Sequence, residues 1–85
     1  MSNHMPATTR FWLNAPVVAA RLEERHMNYG DLADELGLSR SYWSQLLHRK
    51  RPLTPQVRRW LLASPTLAGL HEAQLWERLP VDGGA

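Results

Sequence analysis

The sequence predicts an all-α fold, a compact bundle of about five short helices with a helix-turn-helix at its centre. Three observations carry that expectation. Apolar residues recur at helical spacing, as in Leu32, Ala33 and Leu36 and again in Trp43, Leu46 and Leu47. Helix-start signals precede the stripes: Asn14 before Pro16, Ser39 before Arg40, Thr54 before Pro55, Ser64 before Pro65. No alternating run is long enough to read as a convincing strand, residues 8–13 being the only candidate. With 85 residues there is room for one domain and one core.

The elements follow in order. Residues 1–13 are expected to form a flexible N-terminal segment, residues 14–79 the domain and residues 80–85 a flexible tail. The first helix starts at Asn14, turns Val18, Ala19 and Leu22 inward, and leaves Glu23, Glu24 and Arg25 in water. The second runs from about Tyr29 to Leu36 and is ended by Gly37, since the residue after a helix commonly needs positive φ. Ser39 caps the third, which reaches about His48 and buries Trp43, Leu46 and Leu47. Thr54 caps the fourth, with Val57, Trp60 and Leu61 as its core stripe. A fifth lies within residues 66–79, where Leu67, Leu70, Leu75 and Leu79 are apolar.

Composition narrows the chemistry. The 44% hydrophobic and 21% charged residues describe a globule rather than a disordered chain. There is no apolar run near eighteen residues and no basic-then-apolar leader, so neither a membrane span nor a secretory signal is expected. Cysteine is absent, which removes disulfides and thiolate chemistry and fits a reducing cytoplasm. The sequence has no HExxH, no glycine-rich phosphate loop and no histidine pair at ligand spacing. No catalytic residue, metal or cofactor is therefore expected, and the chain does not read as an enzyme.

The net charge of +2 hides a segregation. Residues 1–38 hold three arginines against five acids, and residues 60–85 one arginine against three acids. Residues 39–59 hold Arg40, Arg49, Lys50, Arg51, Arg58 and Arg59 with no acid. A basic block in a near-neutral chain is the footprint of a polyanion binder. Arg58 and Arg59 also read as a solvated face of the fourth helix.

The block coincides with a motif. Two short helices are joined by Gly37-Leu38-Ser39, with the small Ala33 four residues before the glycine and Trp43 and Leu46 anchoring the second helix from behind. The stretch Leu32-Ala33-Asp34-Glu35-Leu36-Gly37-Leu38-Ser39-Arg40-Ser41-Tyr42-Trp43-Ser44-Gln45-Leu46-Leu47 resembles the helix-turn-helix of the phage repressor/Cro-like (XRE-type) DNA-binding domains. Arg49-Lys50-Arg51-Pro52-Leu53-Thr54-Pro55 is similar to the turn that follows their recognition helix. The resemblance covers about residues 17–64 and implies a lambda-repressor-like, all-α domain of five helices that reads operator DNA, often as a dimer. Tyr29 stands where the family usually has Gln, and Arg49 where it usually has Gly.

A major groove about 12 Å wide admits one helix, and the N-terminal part of a recognition helix meets base edges. Base readout is accordingly expected from Arg40, Ser41, Ser44 and Gln45, with Arg40 suited to guanine and Gln45 to adenine. Phosphate contacts are expected from Tyr29, Ser39, Tyr42, Arg49, Lys50 and Arg51. Ser39 alternatively serves only as a cap, and Tyr29 as a partly buried core residue. Trp43, Trp60 and Trp76 read as core rather than as stacking platforms. The resemblance further implies dimerisation through the segment after the fourth helix, with Leu67, Leu70, Leu75, Trp76 and Leu79 covered by a second copy. The alternative is that they close the monomer core.

The expected partners are thus a double-stranded DNA operator, a second copy of the chain and a regulatory protein. No membrane partner is expected, and the compartment is the cytoplasm, at the nucleoid when DNA is bound. A repressor is the simplest regulator of this kind. An antitoxin-type autorepressor, or a helical protein-interaction module that does not read DNA, are the alternatives.

Overall fold

A computed structural model describes residues 9–80. Of the expected flexible segments, 1–13 and 80–85, residues 1–8 and 81–85 lie outside the described residues, and Pro80 is the last residue of a strand rather than part of a tail. The element order is β1 (Thr9–Leu13), α1 (Ala15–Glu24), α2 (Tyr29–Leu36), α3 (Arg40–Leu47), α4 (Pro55–Ala63), α5 (Glu72–Leu75) and β2 (Trp76–Pro80).

The fold is therefore mixed α/β, and the all-α expectation is corrected: five helices are joined by a two-stranded antiparallel sheet, β1 against β2. Residues 9–13, expected as part of a flexible lead, are a strand. Phe11 faces Arg78 and Leu13 faces Trp76 across the ladder. The Phe11 carbonyl accepts from the Leu53 N–H at 2.7 Å, so the loop before α4 covers the other edge of β1.

The fifth helix over 66–79 is also corrected. Ser64 does start a turn, its Oγ accepting from the Leu67 N–H, but that turn ends at Gly69 with φ +93°. One helical turn at 72–75 follows, and the chain then extends into β2. Leu75 and Trp76 are adjacent and both buried, which suits the passage from a helical turn into a strand and not a one-sided helix.

The other helices lie close to the sequence reading. Asn14 occupies the cap position of α1 without capping it. Its Nδ2 donates to the Gln74 carbonyl at 3.0 Å and its N–H to the Leu75 carbonyl at 2.9 Å, which fastens α1 to α5. Thr54 and Ser39 do cap, accepting from the Val57 and Tyr42 N–H groups. Three helices end in the same way. After α1, α2 and α3 the residues His26, Gly37 and Arg49 take φ of 57°, 75° and 56°. The next N–H then bonds five residues back: Met27 to Leu22, Leu38 to Ala33, Lys50 to Gln45. Only Gly37 adopts that conformation without a side-chain penalty.

The core joins all layers through Leu13, Val18, Leu32, Trp43, Leu61 and Trp76 among others. Trp60, expected in the α4 stripe, is 38% exposed, while Val57 and Leu61 are buried. At 100° per residue Trp60 lies on the flank of α4, about 80° from the line through Val57 and Leu61.

A polar tie sets α2 against the segment after α4. The Glu35 carboxylate accepts from the Thr66 hydroxyl at 2.6 Å and from the Ser64 hydroxyl. Partial burial works against its ionisation, but the bonds from Ser64 and Thr66 outweigh this and hold its pKa below the ordinary glutamate value. A depressed carboxylate pKa contributes stability above the unfolded-state pKa and loses it as pH falls through the folded one. The difference in melting temperature between the parent and Glu35→Gln is therefore expected to be largest near neutral pH. It should shrink steadily below the usual glutamate range. A constant difference down to strongly acidic pH would remove the ionised carboxylate from this account.

Candidate nucleic-acid interface

Local sequence positions α2 and α3 closely. Asn28 and Asp31 form a reciprocal cap at the start of α2: Asn28 Oδ1 accepts from the Asp31 N–H at 2.9 Å, and Asp31 Oδ2 from the Asn28 N–H at 3.0 Å. Gly37 turns the chain, Leu38 packs against the core, and Ser39 starts α3 with its hydroxyl 3.1 Å from the Tyr42 N–H. Trp43 and Leu46 then hold α3 from beneath, 2% and 0% exposed.

What remains outside on α3 is polar and carries no acid. Helical geometry places Ser41, Ser44, Gln45 and His48 along the ridge opposite Trp43 and Leu46, with Arg40 on one flank. Arg40, Ser41, Ser44 and His48 are exposed, and Gln45 and Tyr42 are half-buried. His48, which the sequence places on the outer face of the third helix but without a DNA contact, belongs to this ridge. Its Nδ1 lies 2.9 Å from the Ser44 carbonyl and 3.3 Å from the Ser44 hydroxyl, which ties the ring to α3. The signal was present in the sequence, since His48 follows Ser44 and Ser41 at helical spacing, but the residue sits at the helix end.

Several expected contact residues are brought together. A groove of about 430 Å³ runs between the start of α2 and α3 and gathers Tyr29, Arg40, Ser44 and His48 over Trp43 and Leu47. It has one guanidinium, two hydroxyls and one imidazole at its edge and no carboxylate, a donor-rich lining suited to an anion. Tyr29 is 40% exposed, so it is an edge residue and not part of the core. The Arg40 guanidinium lies back against Gly30 in the first turn of α2. Gln45 and Arg51 form a second group, Arg51 Nε donating to Gln45 Oε1. Ser41 and Lys50 are exposed, and no side-chain hydrogen bond or ion pair engages either among the described residues.

The basic block divides in two. Arg40, Lys50, Arg51 and Arg59 are exposed. Arg49 and Arg58 instead hold the sheet. Arg49 Nη1 pairs with Glu77 at 2.8 Å, and its Nε donates to the Leu13 carbonyl at 3.3 Å. These bonds reach both strands and work against the roughly 1–2 kcal/mol that φ of +56° costs a residue with a β-carbon, the half-exposed ion pair contributing only a part. The left-handed backbone at position 49 is thus held with an arginine whose side chain is engaged. Arg58 stacks on the Phe11 ring at 3.8 Å, with Arg78 at 5.9 Å from the same ring. Both were invisible from sequence because their partners are strand residues far along the chain.

The residues expected at a dimer surface are mostly interior. Leu67, Leu75 and Trp76 are 2%, 0% and 5% exposed, and Leu70 is half-buried against the same core. Leu79 alone stands out, at 40%. The large apolar side chains that remain exposed beside it are Tyr29, Trp60 and Leu62. Among the described residues, no helix is long and apolar enough to cross a membrane. Comparison with known protein families, with characterised proteins and with solved structures finds no match to this chain.

Proposed function

We propose that this chain is a sequence-specific, double-stranded-DNA-binding regulator, in its simplest form a repressor, that lays α3 in the major groove. One observation carries the reading. The outer face of α3 is an unbroken polar ridge without acid, flanked by Arg40, Lys50 and Arg51 and held on a rigid helix pair whose apolar side is fully used by the core. Arg40, Ser41, Ser44 and Gln45 face base edges, and His48 extends the ridge toward the backbone. Tyr29, Ser39, Tyr42, Lys50 and Arg51 contact phosphates. Arg49 contributes charge at the rim while fixing the two-stranded sheet. An operator-bound pair of chains would read half-sites about 34 Å apart.

Selection of the purified chain on a random double-stranded library at two salt concentrations tests this. The expected result is an enriched motif, as an inverted repeat with one-turn spacing for a dimer or as a single half-site for a monomer. Retention that depends on salt but enriches no motif would reduce the protein to a non-specific binder. No retention at low salt would overturn the reading. With a motif in hand, Arg40→Ala is expected to lose discrimination at one base position, by about 1–3 kcal/mol. An unchanged ranking of all bases would remove α3 as the reader.

A second reading is a helical protein-interaction module, for which α4 offers Trp60 and Leu62, 38% and 46% exposed but about 160° apart around the helix and so not one patch. It does not account for the acid-free basic block, which is why DNA is preferred. An antitoxin-type autorepressor joins both readings, with α3 on DNA and the α4 face on a protein partner. The cytoplasm follows as the compartment from the proposed ligand.

A further inference from the structure

Gly30 is the second residue of α2, an exposed first turn where an ordinary helix former would serve. Its φ is not positive, so no turn geometry requires a glycine. What requires it is Arg40. A β-carbon at position 30 would lie 2.9 Å from Arg40 Nη2, 3.0 Å from Arg40 Cζ and 3.2 Å from Asn28 Oδ1. Contacts that short do not persist, and the far end of a long side chain is what yields. The bare backbone of α2 is thus a shelf for the guanidinium of the first residue of α3. No acid holds Arg40 there among the described residues, whose ion pairs are Arg21 with Glu24 and Arg49 with Glu77. The guanidinium is held by shape alone, beside a helix start whose dipole repels it.

We propose that Gly30 is a specificity-determining, positioning residue: it makes no base contact and sets the place from which Arg40 reads DNA. This rests on the DNA-binding reading. Arg40 has four side-chain torsions, and a bidentate contact to a base needs the fork in one orientation. A flat shelf on α2 restricts the fork before DNA arrives, so less ordering remains to be done on binding. The shelf also ties the two helices together functionally. A residue on α2 then governs what α3 selects.

The test is Gly30→Ala in the parent and in an Arg40→Ala background. Alanine is the better helix former, which opposes the slight crowding of the Asn28 cap oxygen, so melting temperature should stay close to that of the parent. That separates this variant from a folding defect. In the parent, base discrimination at the position read by Arg40 should fall by roughly fivefold or more, within the range set by one bidentate contact. In the Arg40→Ala background the same change should alter nothing, because the residue it displaces is gone. An equal loss in both backgrounds would overturn the proposal, since Gly30 would then act through its own approach to DNA. A second measurement needs no DNA. In the free protein, nuclear Overhauser contacts between the Gly30 Hα protons and the Arg40 side chain are expected, and they should vanish in Gly30→Ala. Their absence in the parent would overturn the shelf itself. Their presence together with no selected motif would leave the shelf standing and remove the DNA reading.

Discussion

Trp76→Ala is expected to lower the unfolding free energy by about 3–5 kcal/mol, the range for deleting a large buried aromatic. For a domain of this length total stability is about 4–13 kcal/mol, so the loss takes a large part of it. The reason is position. Trp76 is 5% exposed, faces Leu13 across the ladder, and meets Phe11 edge-on with ring centroids 6.4 Å apart. Its removal leaves a void where β1, β2 and α5 join and loosens the ring on which Arg58 rests. Denaturant unfolding followed by circular dichroism reads the effect. The contrast with a surface role is sharp. Were Trp76 a dimer contact on an exposed helix, alanine would spare the monomer's stability and change only the sedimentation coefficient.

The second large effect concerns salt. Lys50 and Arg51 leave the end of α3 exposed and unopposed by acid, whereas Arg49 just before them is bound to Glu77 and Leu13. Replacing both Lys50 and Arg51 by alanine is expected to reduce the slope of log affinity against log salt by about two units, near 0.9 for each phosphate neutralised. Affinity should fall for every sequence, with the ranking of bases kept except at the position Gln45 reads. Fluorescence anisotropy on the selected duplex across a tenfold salt range measures it. Arg49→Ala should behave differently, costing stability through the lost ties to both strands and changing the slope by less. Equal slope losses for all three residues would mean that the Arg49–Glu77 pair opens on DNA. One caution of chemistry applies to Arg51: it also steadies Gln45, so its single substitution should soften readout at the position Gln45 reads.

Glu35, Arg40 and Gly30 act on a finer scale, and they share a theme. Each fixes α2 relative to a neighbour by polar or steric contact where the apolar core does not reach. The helix pair is therefore located by more than its buried face. Glu35 binds it to the turn after α4, and Gly30 receives a side chain from α3. This suits a recognition surface, since a misplacement of a fraction of an ångström is tolerable for a core but not for a fork that must meet a base edge.

By itself the sequence determined what local rules encode. Periodic apolar residues, caps and a turn glycine are read within one or two helical turns, so α2 and α3 were legible almost to the residue, as were the caps at Ser39 and Thr54. The acid-free basic block and the outer ridge of α3 were legible for the same reason. Tertiary structure alone decided the two-stranded sheet. Thr9–Leu13 and Trp76–Pro80 are each five residues long, lie at opposite ends of the domain, and become strands only by pairing with one another. A single strand carries no internal hydrogen bond, so no local pattern announces it with the force of a helix. That pairing also determined which arginines are engaged and which are free. Arg49 and Arg58 are drawn to the sheet by Glu77, Leu13 and Phe11, partners that lie 28 and more residues away along the chain. Charge along a sequence is additive, but the use of each charge depends on what the fold sets beside it.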